Sequence, residues 1–162
     1  MKIIINGLKN LVIVLLVLIL GFNLYSLYQR NINDSRFPMV LGYGYAVVAS
    51  GSMEPTLSRG DLVIVHAEST YEKNDILTFI QAGDNRTTTH RLIAHENNQF
   101  ITQGDANNTA DPPITDEQIF GKVVFTLPLI GYMIQVASTP LGLLVIISLF
   151  LLMLYLDSHR KR

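Results

Sequence analysis

Residues 45–57 read Tyr45-Ala46-Val47-Val48-Ala49-Ser50-Gly51-Ser52-Met53-Glu54-Pro55-Thr56-Leu57, a stretch that changes from strand to turn within three residues. The β-forming run ends at Ala49, Gly51 permits a tight backbone, and Pro55 blocks continuation of a regular element. Ser52 is therefore presented at a strand end, where a serine has an exposed hydroxyl and a free backbone N–H, two things an acyl-transfer nucleophile needs. Ser50, two residues earlier, shares its face if the chain is extended, so its hydroxyl can help hold a developing oxyanion; one such donor is typically worth about 3–4 kcal/mol. Taken alone, Ser-Gly-Ser is also the composition of an ordinary loop. Met53 reads equally as a core residue and as the wall of a groove beside the nucleophile.

Outward from this turn, the apolar residues come in short runs divided by turn formers, with no sustained helical period, which favours strands. Residues 45–50, 61–67, 76–81, 87–95, 99–102 and 119–127 read as six strands, with a single helical turn at 115–118. Breaks fall at Ser58-Arg59-Gly60, at Gly83-Asp84-Asn85, at Glu96-Asn97-Asn98 and between Gly104 and Pro113. The expectation is one small, mainly antiparallel β domain.

A serine nucleophile at neutral pH requires a base. The candidates are His66, His90, His95, Lys73 and Lys122. His90 lies inside the β-forming run 87–93, where a rigid strand would fix its imidazole and alternation would put Thr88, His90 and Leu92 on one face. His66 and His95 sit at apparent strand ends and read as surface residues. Lys73 lies in a charged turn where desolvation strong enough to lower a lysine pKa is not expected, which leaves Lys122 as the serious rival. A serine and histidine pair is usually completed by a carboxylate that orients the imidazole, and the loop from Gly104 to Pro113 offers both Asp105 and Asp111. The same loop reads otherwise as a polar turn; its spacing does not follow the calcium-binding EF-hand loop, and no metal or cofactor is called for.

The 162 residues are 49% hydrophobic and 15% charged, more apolar than a small soluble domain needs. The excess is concentrated near the two ends. Residues 11–28 have Asn23 as their only strongly polar residue and are about long enough to span a bilayer; no small-x-small cleavage site follows, so this reads as an uncleaved anchor. Residues 139–156 form a second apolar stretch, slightly short alone, with 127–138 apolar enough to extend it. Lys2 and Lys9 precede the first stretch, and His159-Arg160-Lys161-Arg162 follow the second, so both flanks fit the cytoplasmic side; Arg30 and Arg36 are a weaker count opposite. The expected organisation is a cytoplasmic N-terminus at 1–10, transmembrane helices at 11–29 and 139–156, an extracytoplasmic catalytic β domain at 30–138 between them, and a basic cytoplasmic C-terminus at 157–162. There is no cysteine, hence no disulfide, thiolate nucleophile or cysteine-based zinc site. A formal net charge of −1 provides no basic field for nucleic acid.

Taken together, these segments resemble type I signal peptidases over essentially the whole chain. Ser50-Gly51-Ser52-Met53-Glu54-Pro55 with Arg59-Gly60-Asp61-Leu62-Val63 is similar to the nucleophile box and the strand after it, His90-Arg91 to the second box, and Gly104-Asp105 with Asn107 and Asp111 to the third. Gly121-Lys122-Val123 and Pro128-Leu129-Ile130-Gly131-Tyr132 match the closing strand and the approach to the second span. The usual bacterial enzymes carry a lysine in the second box. His90 instead resembles the version of the endoplasmic reticulum, of archaea and of SipW-like enzymes of sporeforming bacteria. The resemblance implies a membrane-bound serine endopeptidase that removes signal peptides from exported preproteins after a small residue, with Ser52 as nucleophile, His90 as general base, Asp111 as the carboxylate, and Asp105 and Ser50 in support. Its implied partners are signal peptides and membrane lipid, with association with the secretion machinery left open. Two rival readings stand beside it: a related serine and lysine peptidase using Lys122, and a non-catalytic anchored scaffold or assembly factor.

Overall fold

The computed structural model describes residues 7, 10–14, 16, 17, 20, 21, 25, 28, 37, 39–84 and 86–160. All of the described positions before 37 are helical. The rest of the first expected span, including Asn23, lies outside the described residues, as do Lys2, Lys9, Arg30, Arg36, Asn85, Lys161 and Arg162. The chain divides into two compact units, one of residues 35–133 and one formed by the terminal segments.

The first unit is a single six-stranded sheet: β1 (Tyr43–Val47), β2 (Leu62–His66), β3 (Ile76–Ile80), β4 (Thr87–Glu96), β5 (Gln99–Gln103) and β6 (Ile119–Leu127), preceded by a 3₁₀ turn at Asp116–Gln118. The strand order is β1-β2-β6-β3-β4-β5, and every neighbouring pair is antiparallel. The last strand thus closes the middle of the sheet, joining two halves made earlier in the chain. β1 begins two residues before the expected 45 and ends at Val47 rather than at Ser50. Its ladder with β2 runs out one step later, where Val48 donates to the Asp61 carbonyl at 2.9 Å and Gly60 donates to that of Val48 at 2.8 Å. Beyond that Gly60, at φ 89°, turns the partner chain away, so Ala49 and Ser50 leave the β1–β2 ladder despite their strand-like composition.

Two apolar clusters lie on the sheet. One gathers Tyr71, Leu77, Phe79, Leu92, Phe100 and Ile114 from around β3, β4 and β5. The other gathers Phe37, Met53, Leu57, Val63 and Val65 around β2. Buried Asp61 links two chain segments across this half: its carboxylate accepts from the Ser58 N–H at 2.9 Å and from the Leu129 N–H at 3.2 Å. The backbone after β6 packs closely there, since a Cβ on Gly131 would lie 2.6 Å from the Gly60 carbonyl oxygen.

After β6 come α1 (Ile130–Ala137) and α2 (Pro140–Arg160). The segment expected to extend the second span as one helix is instead a separate short helix. The break has a local cause: Pro140 supplies no N–H, and Thr139 caps the new helix by accepting from the Gly142 N–H at 3.0 Å. α2 runs past the expected 156 to Arg160. Among the described residues no single helix is long and apolar enough to cross a membrane, whereas Ile130–Ala137 and Pro140–Met153 together pass by length and composition as a bent pair.

Removing the Asp61 carboxylate leaves two backbone N–H groups without their acceptor. Asp61→Ala is expected to lower the unfolding free energy of the full chain by about 1–3 kcal/mol, read from denaturant titration; an unchanged midpoint would show that the clamp contributes nothing.

Candidate active site

The turn after β1 is held from beneath. Leu57 donates its N–H to the Met53 carbonyl at 2.9 Å, and Glu54 donates to that of Gly51 at 3.1 Å. Met53 and Leu57, 1% and 2% exposed, drive into the second apolar cluster, which leaves Ser52 on the outer side of the turn. Met53 therefore fills both roles left open for it: it is core, and it also lines the cleft beside Ser52.

His90 lies in β4, 7% exposed, opposite Leu77 of β3 and edge-on to Phe79 at a centroid distance of 6.4 Å. Packing on these two apolar residues orients the ring. Its Nε2 is 3.0 Å from Ser52 Oγ, and its Nδ1 is 2.7 Å from Asp111 Oδ2. A carboxylate only accepts, so Nδ1 carries the proton and Nε2 is left to accept from the Ser52 hydroxyl. Asp111 reaches this place because the loop after β5 folds back on the strand: its N–H donates to the Thr102 carbonyl at 2.8 Å, and the Thr102 hydroxyl donates to Asp111 Oδ2 at 2.7 Å.

Asp105 faces elsewhere. Arg91 grips it with two parallel bonds, Nε to Oδ1 at 2.8 Å and Nη2 to Oδ2 at 2.7 Å, and the Thr56 hydroxyl donates to Oδ2 as well. The Arg91 hydrogen bond holds the Asp105 carboxyl below the usual carboxylate range, and the same contact raises Arg91. Arg91 also donates to the Asn74 carbonyl at 2.9 Å, so one guanidinium ties the turn before β3 to the loop after β5. Of the two carboxylates left open by the sequence, Asp111 is the one bonded to the imidazole.

The loop and the Ser52 turn meet through their backbones. Ala106 donates its N–H to the Ser52 carbonyl at 2.9 Å. Gly104 permits this approach: a Cβ there would lie 2.6 Å from that carbonyl oxygen. Ser50, exposed, has its Oγ 3.1 Å from Ser52 Oγ. A cleft of about 360 Å³ passes Ser52 and His90 between residues 46–50 and 86–90.

Lys122 is engaged away from this group. Its ammonium lies 2.9 Å from Glu68 and 3.8 Å from Asp75, and the Glu68 hydrogen bond raises its pKa, the opposite of what a lysine base needs. His66 lies against Tyr43 with its ring tilted by 34° at a centroid distance of 4.3 Å, and His95 stacks on Phe100 at 4.1 Å. Lys73 lies exposed in its turn. Among the described residues no group of three or more His, Cys, Asp or Glu could hold a metal ion.

The family model of Peptidase S24-like proteins matches residues 41–124, just over half of the 162 residues and all of this site. The chain belongs to that family. It is similar to signal peptidase I W of Bacillus subtilis, 34% identical over 127 residues that cover 73% of this chain and 65% of that protein. It is also similar to the signal peptidase complex catalytic subunit sec11 of Sclerotinia sclerotiorum, 34% identical over 116 residues covering 62% of this chain and 63% of that one. The chain thus spans just under two thirds of the length of these relatives. The resemblance to SipW-like and endoplasmic-reticulum-type signal peptidases read from the sequence agrees with these comparisons.

Within the S24-like site, sequence reading missed Thr102 and the Thr56–Asp105–Arg91 network. The available signal for Thr102 was alternation: it falls two residues after Phe100, on the inward face of a strand leading into the acidic loop. The network has a measurable consequence. Asp105→Asn is expected to lower unfolding free energy by about 1 kcal/mol at neutral pH. Because the folded-state pKa of Asp105 is depressed, that contribution is present above the unfolded carboxylate value and lost as pH falls through the folded one. Melting temperatures of variant and wild type should therefore converge below roughly pH 4; a constant gap down to pH 3 would refute the linkage.

Proposed function

We propose that this protein is a membrane-bound signal peptidase, a serine endopeptidase that removes N-terminal signal peptides from exported preproteins. The observation that carries this reading is the hydrogen-bonded chain Ser52–His90–Asp111 in a chain similar to signal peptidase I W and to SEC11 catalytic subunits. Ser52 Oγ attacks the carbonyl carbon before the scissile bond while its proton passes to His90 Nε2. The imidazolium is stabilised by Asp111, and the negative charge on the substrate oxygen is met by donors of the Ser50–Ser52 turn. His90 then returns the proton to the leaving amine as the C–N bond breaks, which leaves an ester on Ser52. Water, activated by the same imidazole, hydrolyses that ester and restores the serine.

The preprotein lies extended in the cleft beside residues 46–50, where Ala49 and Ser50 have left the β1–β2 ladder and offer an edge to an added strand. Small residues are expected one and three positions before the bond, as the resemblance to signal peptidases implies. Segments 11–29 and 139–156 cross the bilayer and hold the β domain, residues 30–138, on the extracytoplasmic side. There the cleavage site emerges at the end of an apolar helix.

Cleavage of a model preprotein by the full chain in membranes tests this. Ser52→Ala and His90→Ala are each expected to lower kcat by about 10⁴-fold or more, and Asp111→Asn by far more than Asp105→Asn. Lys122→Ala should stay within about threefold of wild type, as expected for a residue outside the reaction. Full processing by His90→Ala, together with loss in Lys122→Ala, would move the protein to the serine and lysine mechanism. Full processing by Ser52→Ala would leave the scaffold reading.

A further inference from the structure

We infer that Thr102 is a positioning residue for the reaction at Ser52: its hydroxyl sets the rotation of the Asp111 carboxylate, and through it the orientation of His90. This rests on the reading of Ser52, His90 and Asp111 given above. Thr102 is fully buried, 0% exposed, in β5, opposite Leu92 of β4, two residues along that strand from His90. Its hydroxyl donates at 2.7 Å to Asp111 Oδ2, the same oxygen that accepts from His90 Nδ1 at 2.7 Å.

The chemistry of a carboxylate makes that shared oxygen informative. An aspartate's terminal torsion is broad and roughly two-fold, so one hydrogen bond from an imidazole does not define its plane. Two donors on one oxygen, arriving from different strands, do define it. The backbone adds a second constraint, because the Asp111 N–H donates to the Thr102 carbonyl at 2.8 Å. Asp111 is thus held by one residue at its main chain and at its carboxylate, while the loop between them spans the distance to Ser52. A buried threonine needs a partner for its hydroxyl, and here the partner is Asp111.

A purely structural role would make Thr102 a pin for the loop 104–111, and loss of activity would then follow loss of stability. Two substitutions separate the alternatives. Thr102→Val keeps the volume and removes the hydroxyl; Thr102→Ser keeps the hydroxyl and removes a buried methyl. With a model preprotein and the full chain, Thr102→Val is expected to lower kcat by about 10–100-fold with KM within about twofold, since misplacement of about 1 Å in a reacting group costs on that order. Thr102→Ser is expected to retain kcat within about threefold while melting at a lower temperature than wild type. In an Asp111→Asn background, Thr102→Val should add little further loss, because the group it positions is already disabled. The inference is overturned if Thr102→Val keeps wild-type kcat, or if Val and Ser variants lose activity in proportion to their melting temperatures. Ser52→Ala run alongside distinguishes that failure from failure of the reading itself: an active Ser52→Ala removes the reaction, whereas an inactive Ser52→Ala with an active Thr102→Val removes only the role of Thr102.

Discussion

The hydrogen bond from the Ala106 N–H to the Ser52 carbonyl joins two parts of the chain that the sheet keeps in different halves. Ser52 belongs to the half built on β1 and β2, where Met53 and Leu57 anchor its turn in one apolar cluster. His90 and the loop bearing Asp111 belong to the half built on β3, β4 and β5, with its own cluster. β6 joins the halves at the level of the sheet, but the backbone contact across Gly104 is what brings the two surfaces to bonding distance. Its cost is conformational rather than chemical, for only a residue without a Cβ lets the loop approach a carbonyl oxygen this closely.

Given that contact, two carboxylates six residues apart in one loop take different work. Asp105 is spent on Arg91, a pairing whose planar, two-bond geometry fixes the loop's start against the turn before β3. Asp111 is left to the imidazole and to Thr102. The separation matters because an acid that also bound a guanidinium would have less charge to offer an imidazolium. Lys122 follows the same economy, with Glu68 and Asp75 holding its charge.

Much of this was legible before any coordinates. The short apolar runs between turn formers located β3, β4, β5 and β6 to within a residue or two, and Ser52, His90 and the acidic loop stood out as chemistry-bearing groups in a scaffold of short strands. The end of β1 was not legible, since Val48 and Ala49 look like strand and stop only because the partner chain turns at Gly60. Nor was the break at Thr139, where a local cap and a proline override continuous apolar composition. The choice between Asp105 and Asp111 as the imidazole's partner depends on pairings such as Thr56 with Asp105, 49 residues apart, which no local pattern encodes. The insertion of β6 between β2 and β3 is of the same kind: a long-range pairing decided by which half-formed edges remain to be filled.

The proposed reaction depends on activation of Ser52 by His90. Reaction of the full chain with a fluorophosphonate, followed by mass mapping of the adduct, reads that activation without reference to any substrate. A single adduct on Ser52 is expected, forming readily in the wild type and failing to form in His90→Ala. An adduct on another residue, or labelling of Ser52 at an undiminished rate without His90, would contradict it.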